Sequence, residues 1–301
     1  MPEYPDIELY LHALRPRLLG QPVERVRVAS PFLLRSVDPS IDAVMGARIT
    51  GFHRLGKRIV WALEGDLYFV FHLKIAGRFR WRAVGAPVPG RIGLAAFDFA
   101  AGTLILTEAG SQRHASLHVV RGRAQLAAHD PGGLDIFMVT SDAFARQLRR
   151  ENHTLKRALT DPRLCSGIGN AYSDEILLAA KLSPLQLTSR LDDEQIDRLL
   201  MQARAVLTRW REELINAAGE VFPETVTAFR EGMAAHGRFG KPCPVCGTPI
   251  QRIRYASNEA NYCPTCQTGG RLLADRGLSR LLKDDWPRSI EELERWKTER
   301  S

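Results

Sequence analysis

Two groups of residues in this 301-residue chain have the types and spacing for chemistry. The first is Met1-Pro2-Glu3. Removal of Met1 leaves Pro2 as a secondary amine, which attacks a sugar or aldehyde carbon to give an iminium, while the Glu3 carboxyl moves the protons. With Met1 in place the Pro2 nitrogen is an amide and cannot act. The same residues also read as a helix start, with prolines in the first turn and acids behind them, and both readings stay open at this point. The second group is Cys243-Pro-Val-Cys246, sixteen intervening residues, then Cys263-Pro-Thr-Cys266. Four thiolates at that spacing suit one tetrahedral zinc ion ahead of iron or a redox dithiol, and a closed set of four protein ligands makes the site structural. Gly247 follows the first knuckle, and Ile250 to Tyr262 is the length of one β-hairpin. Cys165 stands alone.

Elements that position these groups follow from periodicity. A first helix is expected from Pro5 to about Leu14, with Ile7, Tyr10, Leu11 and Leu14 on one side and Arg15-Pro16 near its end. Residues from about 20 to 125 alternate as strands with turn signals at Gly65-Asp66 and Gly102-Thr103, which predicts an antiparallel sandwich. Within it Lys57 faces either a cleft or solvent as an edge lysine. In Phe71-His-Leu-Lys-Ile-Ala-Gly-Arg78, His72 with Lys74 forms a polar tip suited to phosphate, and Ile75 is either an apolar wedge or ordinary core. His129-Asp-Pro-Gly-Gly133 reads as a linker. The period then becomes helical, with Ser141, Thr154 and the Asp192/Gln195 box as expected caps. In Cys165-Ser-Gly-Ile-Gly-Asn170, Gly167 and Gly169 permit a tight turn whose backbone can approach a phosphate at a helix N-terminus; Asn170 adds a donor or serves as the cap. After the cysteines, Arg271 to Arg276 and Leu278 to Leu282 read as helical, and Ser289 with Glu292 as the cap of a last helix.

Composition narrows the partner. The net charge is +8, and His236 to Lys283 carries eight Lys/Arg against two acids, a local +6. Clustered cations release counterions on phosphates, so a nucleic acid is the expected ligand. A hydrophobic content of 45% is that of a folded globular chain rather than a disordered one. No apolar run reaches membrane-span length and no signal pattern opens the chain, which sets the expectation of a cytoplasmic, nucleoid-associated monomer.

In this order the pieces resemble the bacterial formamidopyrimidine-DNA glycosylase and endonuclease VIII family of base-excision repair enzymes. The carriers are Pro2-Glu3 with Pro5 and Glu8, Lys57, His72-Leu-Lys-Ile-Ala-Gly77, Gly167-Ile-Gly-Asn-Ala-Tyr172, and the finger ending Tyr262-Cys-Pro-Thr-Cys-Gln267. The resemblance implies an α+β multidomain chain: an N-terminal helix and antiparallel β-sandwich over 1–128, a helix-two-turn-helix domain over 134–235, a zinc finger over 236–270 and a helical extension over 271–301. It implies double-stranded DNA with damaged bases or abasic sites in a cleft between the two halves. Pro2 is then the nucleophile, Glu3 the proton donor, and Lys57 the assistant of elimination at the abasic sugar. DNA contacts fall to His72, Ile75, Lys156, Gly167, Gly169, Asn170, His236, Arg254 and Asn258. A non-catalytic relative that recognises damaged DNA is the alternative, and RNA binding a third.

The sequence departs from the family pattern at four places. Ser257-Asn258 stands where the finger hairpin carries Gly-Arg, and asparagine lacks arginine's charge and fork geometry, so an efficient second elimination needs a cation from Arg252, Arg254 or the tail. Ile75 replaces a methionine, and Glu108 to His114 replaces an Asp/Arg/Phe pattern, leaving Gln112, Arg113 or His114 to fill the gap of a flipped base. Ala217 to Gly237 is shorter than the lesion-closing segment of oxidised-purine enzymes.

Overall fold

A computed structural model describes residues 1–110, 112–227, 229–255, 258–274 and 287–298. The chain divides into two compact units, Met1–Pro131 with Thr208–Ala228, and Gly132–Leu207 with Phe229–Ser301.

The first unit opens on α1 (Tyr4–Leu18), one turn longer than the periodicity predicts. Pro16 lies inside its last turn, and Leu18 is fully buried, so tertiary contact carries the helix past the residue that should end it. Glu3 is the N-cap, and its N–H donates to Asp6 Oδ2 at 2.8 Å. Ile7, Tyr10, Leu11, Leu14 and Leu18 all point into the core, a helical spacing that fixes the N-terminus against the sandwich.

That sandwich is two four-stranded antiparallel sheets. One runs β1 (Arg25–Val28), β6 (Gly93–Phe99), β7 (Gly102–Glu108), β5 (Gly77–Arg82); the other runs β2 (Ile49–Leu55), β3 (Arg58–Leu63), β4 (Leu67–His72), β8 (Ser116–Arg121). Trp61 is fully buried, with the rings of Phe69, Phe71 and Phe97 at 4.8–5.7 Å. Tilted and edge-on aromatic pairs of this kind add about 0.5–1.5 kcal/mol each beyond area burial. The same core takes Leu214, Phe222 and Val226 from the later segment. On the outer face of the second sheet a short helix, α2 (Gly122–Ala127), sits over Val60, Val70 and Val120 with Leu126.

The second unit carries α3 (Ser141–Arg149), α4 (Leu155–Thr160), α5 (Asn170–Ala179) and α6 (Asp193–Ala218), the last belonging to this unit as far as Leu207. The cap of α3 is Thr140 rather than Ser141, its Oγ1 accepting from Ala143 N at 3.3 Å. Asp192 caps α6 as expected, accepting from Gln195 N at 2.7 Å. A hairpin of β9 (Gln251–Arg254) and β10 (Glu259–Tyr262) and a short α7 (Pro264–Thr268) follow, then α8 (Ile290–Thr298). Ser289 and Glu292 form the predicted start of α8, Glu292 N donating to Ser289 Oγ at 3.2 Å. Arg271 to Ala274, the described part of the helix expected over Arg271 to Arg276, is not helical. Arg271 bridges Ser289, and Leu273 N donates to Tyr262 Oη at 2.7 Å, so the hairpin claims this backbone. The expected helix over Leu278 to Leu282 lies outside the described residues. No described helix is long and apolar enough to cross a membrane.

Candidate active site and nucleic-acid interface

The end of α1 brings the first group together. Pro2 and Glu3 are both buried, Glu3 with 3% exposure, while Met1 is the exposed residue before them. Burial holds the Met1 amine below its ordinary pKa; Glu3 and Asp6 oppose this, and the charges of Arg78 and Lys57 reinforce it. Lys57, distant in sequence, therefore acts on the N-terminus, as does Arg78, which sequence reasoning did not select. Arg78 Nη1 donates to the carbonyls of Ile75 at 3.1 Å and Gly77 at 2.7 Å. Beside it Ile75 is 70% exposed, which decides between wedge and core in favour of a projecting side chain.

His72 closes β4 with a different character from a phosphate-binding cation. Its Nε2 is buried without a hydrogen-bond partner, and burial, followed by Lys74, Arg58 and Lys57, pushes its pKa down to about 3. It offers a neutral imidazole, and the lysines and Arg58 supply the charge. The strand register puts His118 on the same face of the sheet, since Val70 pairs with His118 and His72 with Ser116. His118 packs on His129 with ring centroids 4.6 Å apart, and burial with His129, Arg58 and Arg35 lowers it to about 4. An unfolded histidine protonates near 6.5, so below that pH the unfolded chain binds protons the folded one refuses, and stability falls. We expect the melting temperature to decline as pH drops from about 6.5 towards 4, and a His118→Gln variant to show a shallower decline in a calorimetric pH series; an unchanged profile contradicts this assignment.

In the second unit a cavity of about 640 Å³ gathers Lys156, Asn170 and Asn258, with Arg157, His153 and Tyr255. Gly167 takes φ +81°, left-handed backbone that glycine adopts freely, and Gly169 rather than Asn170 is the N-cap of α5. Asn170 is thus the first helical residue. Asn258 closes the hairpin, its carbonyl accepting from Tyr255 N at 2.8 Å, and Arg254 is exposed on β9 outside the cavity lining.

Lys156 and His236 prove to be structural as well. Asp174, fully buried, accepts from Lys156 Nζ at 2.5 Å, from His236 Nδ1 at 2.8 Å and from Asn261 Nδ2 at 3.2 Å. Lys156 Nζ also donates to the Asn170 carbonyl at 2.7 Å, which ties α4 to the first turn of α5. Lys156 also lines the cavity. Next to Asp174, the Glu175 carboxylate accepts from the backbone N–H groups of Ala234, Ala235 and His236 at 2.8–2.9 Å. Removing one member of a buried pair such as Lys156–Asp174 costs about 3–5 kcal/mol. Sequence reasoning passed over both acids, although two carboxylates directly ahead of the apolar Ile176 to Leu178 were a readable signal.

The four finger cysteines converge, with all Sγ atoms within 4.8 Å of one another. Zn–S bonds of about 2.3 Å in a tetrahedron set sulfurs roughly 3.8 Å apart, so the cluster fits one structural zinc ion. Cys266 N donates to Cys263 Sγ at 3.5 Å, and Gln267 Nε2 reaches the Leu182 carbonyl at 2.8 Å, anchoring the finger to the helical core. Cys165 is buried, and its thiol is pushed up to about 12, so it has no part in this chemistry.

A helix-led antiparallel sandwich, a helical unit and a four-cysteine finger together define a known architecture. Family models match in the same order: the formamidopyrimidine-DNA glycosylase N-terminal domain over residues 1–131, the formamidopyrimidine-DNA glycosylase H2TH domain over 134–213, and the zinc finger found in FPG and IleRS over 240–269. The chain belongs to the formamidopyrimidine-DNA glycosylase family. It is 31% identical to the formamidopyrimidine-DNA glycosylase of Thermus thermophilus over 288 residues, 90% of this chain and 100% of that one. It is also 40% identical over 162 residues to an uncharacterized formamidopyrimidine-DNA glycosylase-like protein of Mycobacterium tuberculosis, covering 54% of this chain and 99% of the relative. The fold is shared with Lactococcus lactis formamidopyrimidine-DNA glycosylase bound non-covalently to DNA containing an abasic site, at TM-score 0.76 and 22% identity over 88% of this chain and 99% of that one.

Proposed function

We propose that this protein is a base-excision-repair DNA glycosylase with abasic-site lyase activity, acting through Pro2 once Met1 is removed. The observation that carries the reading is the grouping of a buried Pro2-Glu3 end with Lys57 and Arg78 in a member of this family. Family membership supports the damaged-DNA substrate, and the division into sandwich (1–128), helix-two-turn-helix domain (134–235), finger (236–270) and extension (271–301) is part of the same proposal.

The chemistry follows from the groups present. A damaged nucleotide swings out of the stack, because C1′ is hindered inside the duplex and a weakened pair lowers the cost of extrusion. The Pro2 nitrogen forms a bond to C1′ as the bond from C1′ to the base breaks, and the departing base takes a proton. Glu3 delivers protons to the opening sugar, giving an iminium between Pro2 and C1′. Lys57 assists loss of the C2′ proton, which breaks the C3′–O bond and leaves the strand nicked. The burial and the Arg78 and Lys57 charges that lower the pKa of the Met1 amine, against Glu3 and Asp6, support this reading by disfavouring positive charge at this end of the chain. In the second unit Asn170, Lys156, the Gly167/Gly169 backbone and Asn258 are assigned to the phosphates, as sequence-independent contacts that hold the duplex. His72 joins them as a neutral donor and Ile75 as the wedge. Arg254 is assigned to phosphate outside the cavity, and His236 acts through Asp174.

The test is a set of duplexes carrying single oxidised bases or an abasic site, scored for base release and for the chemistry of the cut ends. Nicking by the first elimination should dominate, because Asn258 brings no charge to the second. Tight binding to every duplex without base release or nicking would contradict the enzyme and leave the damaged-DNA-binding alternative.

A further inference from the structure

Lys74 sits at φ +53° between β4 and β5, a left-handed backbone that glycine takes freely and lysine does not. The turn is held on both sides of it. Leu73 is 1% exposed, Gly77 N donates back to the Leu73 carbonyl at 2.9 Å, and a Cβ at Gly77 would meet that oxygen at 2.3 Å. Arg78 pins the middle of the turn through the Ile75 carbonyl at 3.1 Å. With both ends and the centre held, the strain falls on Lys74.

Charge adds to the cost. Ile59 pairs with Phe71, so the ladder sets Arg58 beside His72, and Lys57, Arg58 and Lys74 all act on that histidine. Asp130 is the carboxylate that faces Arg58, whereas Lys74 feels burial and Arg58 alone. Among the described residues Lys74 has no hydrogen-bond or ion-pair partner. A strained, unpaired cation beside Arg58 and next to a 70% exposed isoleucine is unfavourable until an anion arrives.

We infer that Lys74 binds a DNA phosphate beside Ile75, and that its left-handed backbone is kept for that contact at the expense of fold stability. This rests on the DNA-binding reading above.

Three variants of the full chain test it, with melting temperature and duplex binding measured over a salt series. Lys74→Gly should raise the melting temperature by about 2 °C. It should also weaken duplex binding roughly three- to tenfold at about 50 mM salt and flatten the slope of log K against log salt by about 0.9. Lys74→Met should lose the same affinity without the thermal gain, and Lys74→Arg should retain affinity. If the unaltered protein binds duplex DNA and Lys74→Gly and Lys74→Met match it in affinity and slope, the inference fails while the DNA reading stands. Loss of affinity in Lys74→Gly without a rise in melting temperature overturns the stability half. If the unaltered protein does not bind duplex DNA, the DNA reading itself falls.

Discussion

Pro2→Gln should abolish base excision while leaving duplex affinity within about threefold of the unaltered protein. A large second residue keeps Met1 in place, so the chain ends in an amine displaced by a whole residue from a helix that cannot shift to compensate. The α1 helix is held by its Glu3–Asp6 cap at 2.8 Å and by the full burial of Ile7, Tyr10, Leu14 and Leu18. Near-attack geometry tolerates little, a 1 Å displacement already costing on the order of 10²-fold, so a loss of at least about 10³-fold in single-turnover excision is expected. Glu3→Gln should cost about 10²- to 10⁴-fold, the usual range for a proton-transfer group, with the N-terminal amine still present. Rapid-quench assays on one processed lesion measure both. Excision surviving in Pro2→Gln at more than a tenth of the normal rate would remove Pro2 from the mechanism.

Zinc removal has the second large effect. The finger has a small apolar core, where Leu178 and Ala235 meet Cys243, Ile250 and Cys263, and a module of that size does not fold on hydrophobic burial alone. Structural zinc contributes about 10–16 kcal/mol of apparent binding energy in such modules, so metal binding and folding are one event. Chelation of the native protein, or Cys263→Ala, should release one zinc ion by native mass spectrometry. It should also disorder the β9–β10 hairpin in hydrogen exchange and weaken duplex binding by roughly 10²-fold, as the phosphate contacts assigned to the finger are lost. The sandwich core around Trp61 should keep its protection. A metal-free protein with a protected hairpin would refute the four-cysteine site.

Local signals were legible where one residue type permits one geometry. The CxxC pairs announced the zinc site and strand alternation over about residues 20 to 125 the antiparallel sandwich, whereas the roles proposed for Pro2 and Lys57 come from the family resemblance. What escaped was long-range. The periodicity of α6 shows a buried face without showing its partner, so nothing marked Leu214 as joining the sandwich core. Arg78 reads as an ordinary strand residue until the turn after β4 folds its guanidinium back to Ile75. The family resemblance offered Lys156 for phosphate, but the buried Asp174 that holds its ammonium appears only when α4 and α5 pack. Pro16 failed as a stop signal for a comparable reason, since the burial of Leu18 outweighs its local preference.

The central claim is that the N-terminal amine is the nucleophile, and covalent trapping addresses it directly. Protein with Met1 removed is incubated with abasic-site and oxidised-base duplexes in the presence of borohydride, and the adduct is digested and located by mass spectrometry. A reduced cross-link is expected on the N-terminal peptide at Pro2, absent from Pro2→Gln. A cross-link mapped to Lys57 or to another lysine, or none at all across lesions the protein demonstrably binds, would contradict it.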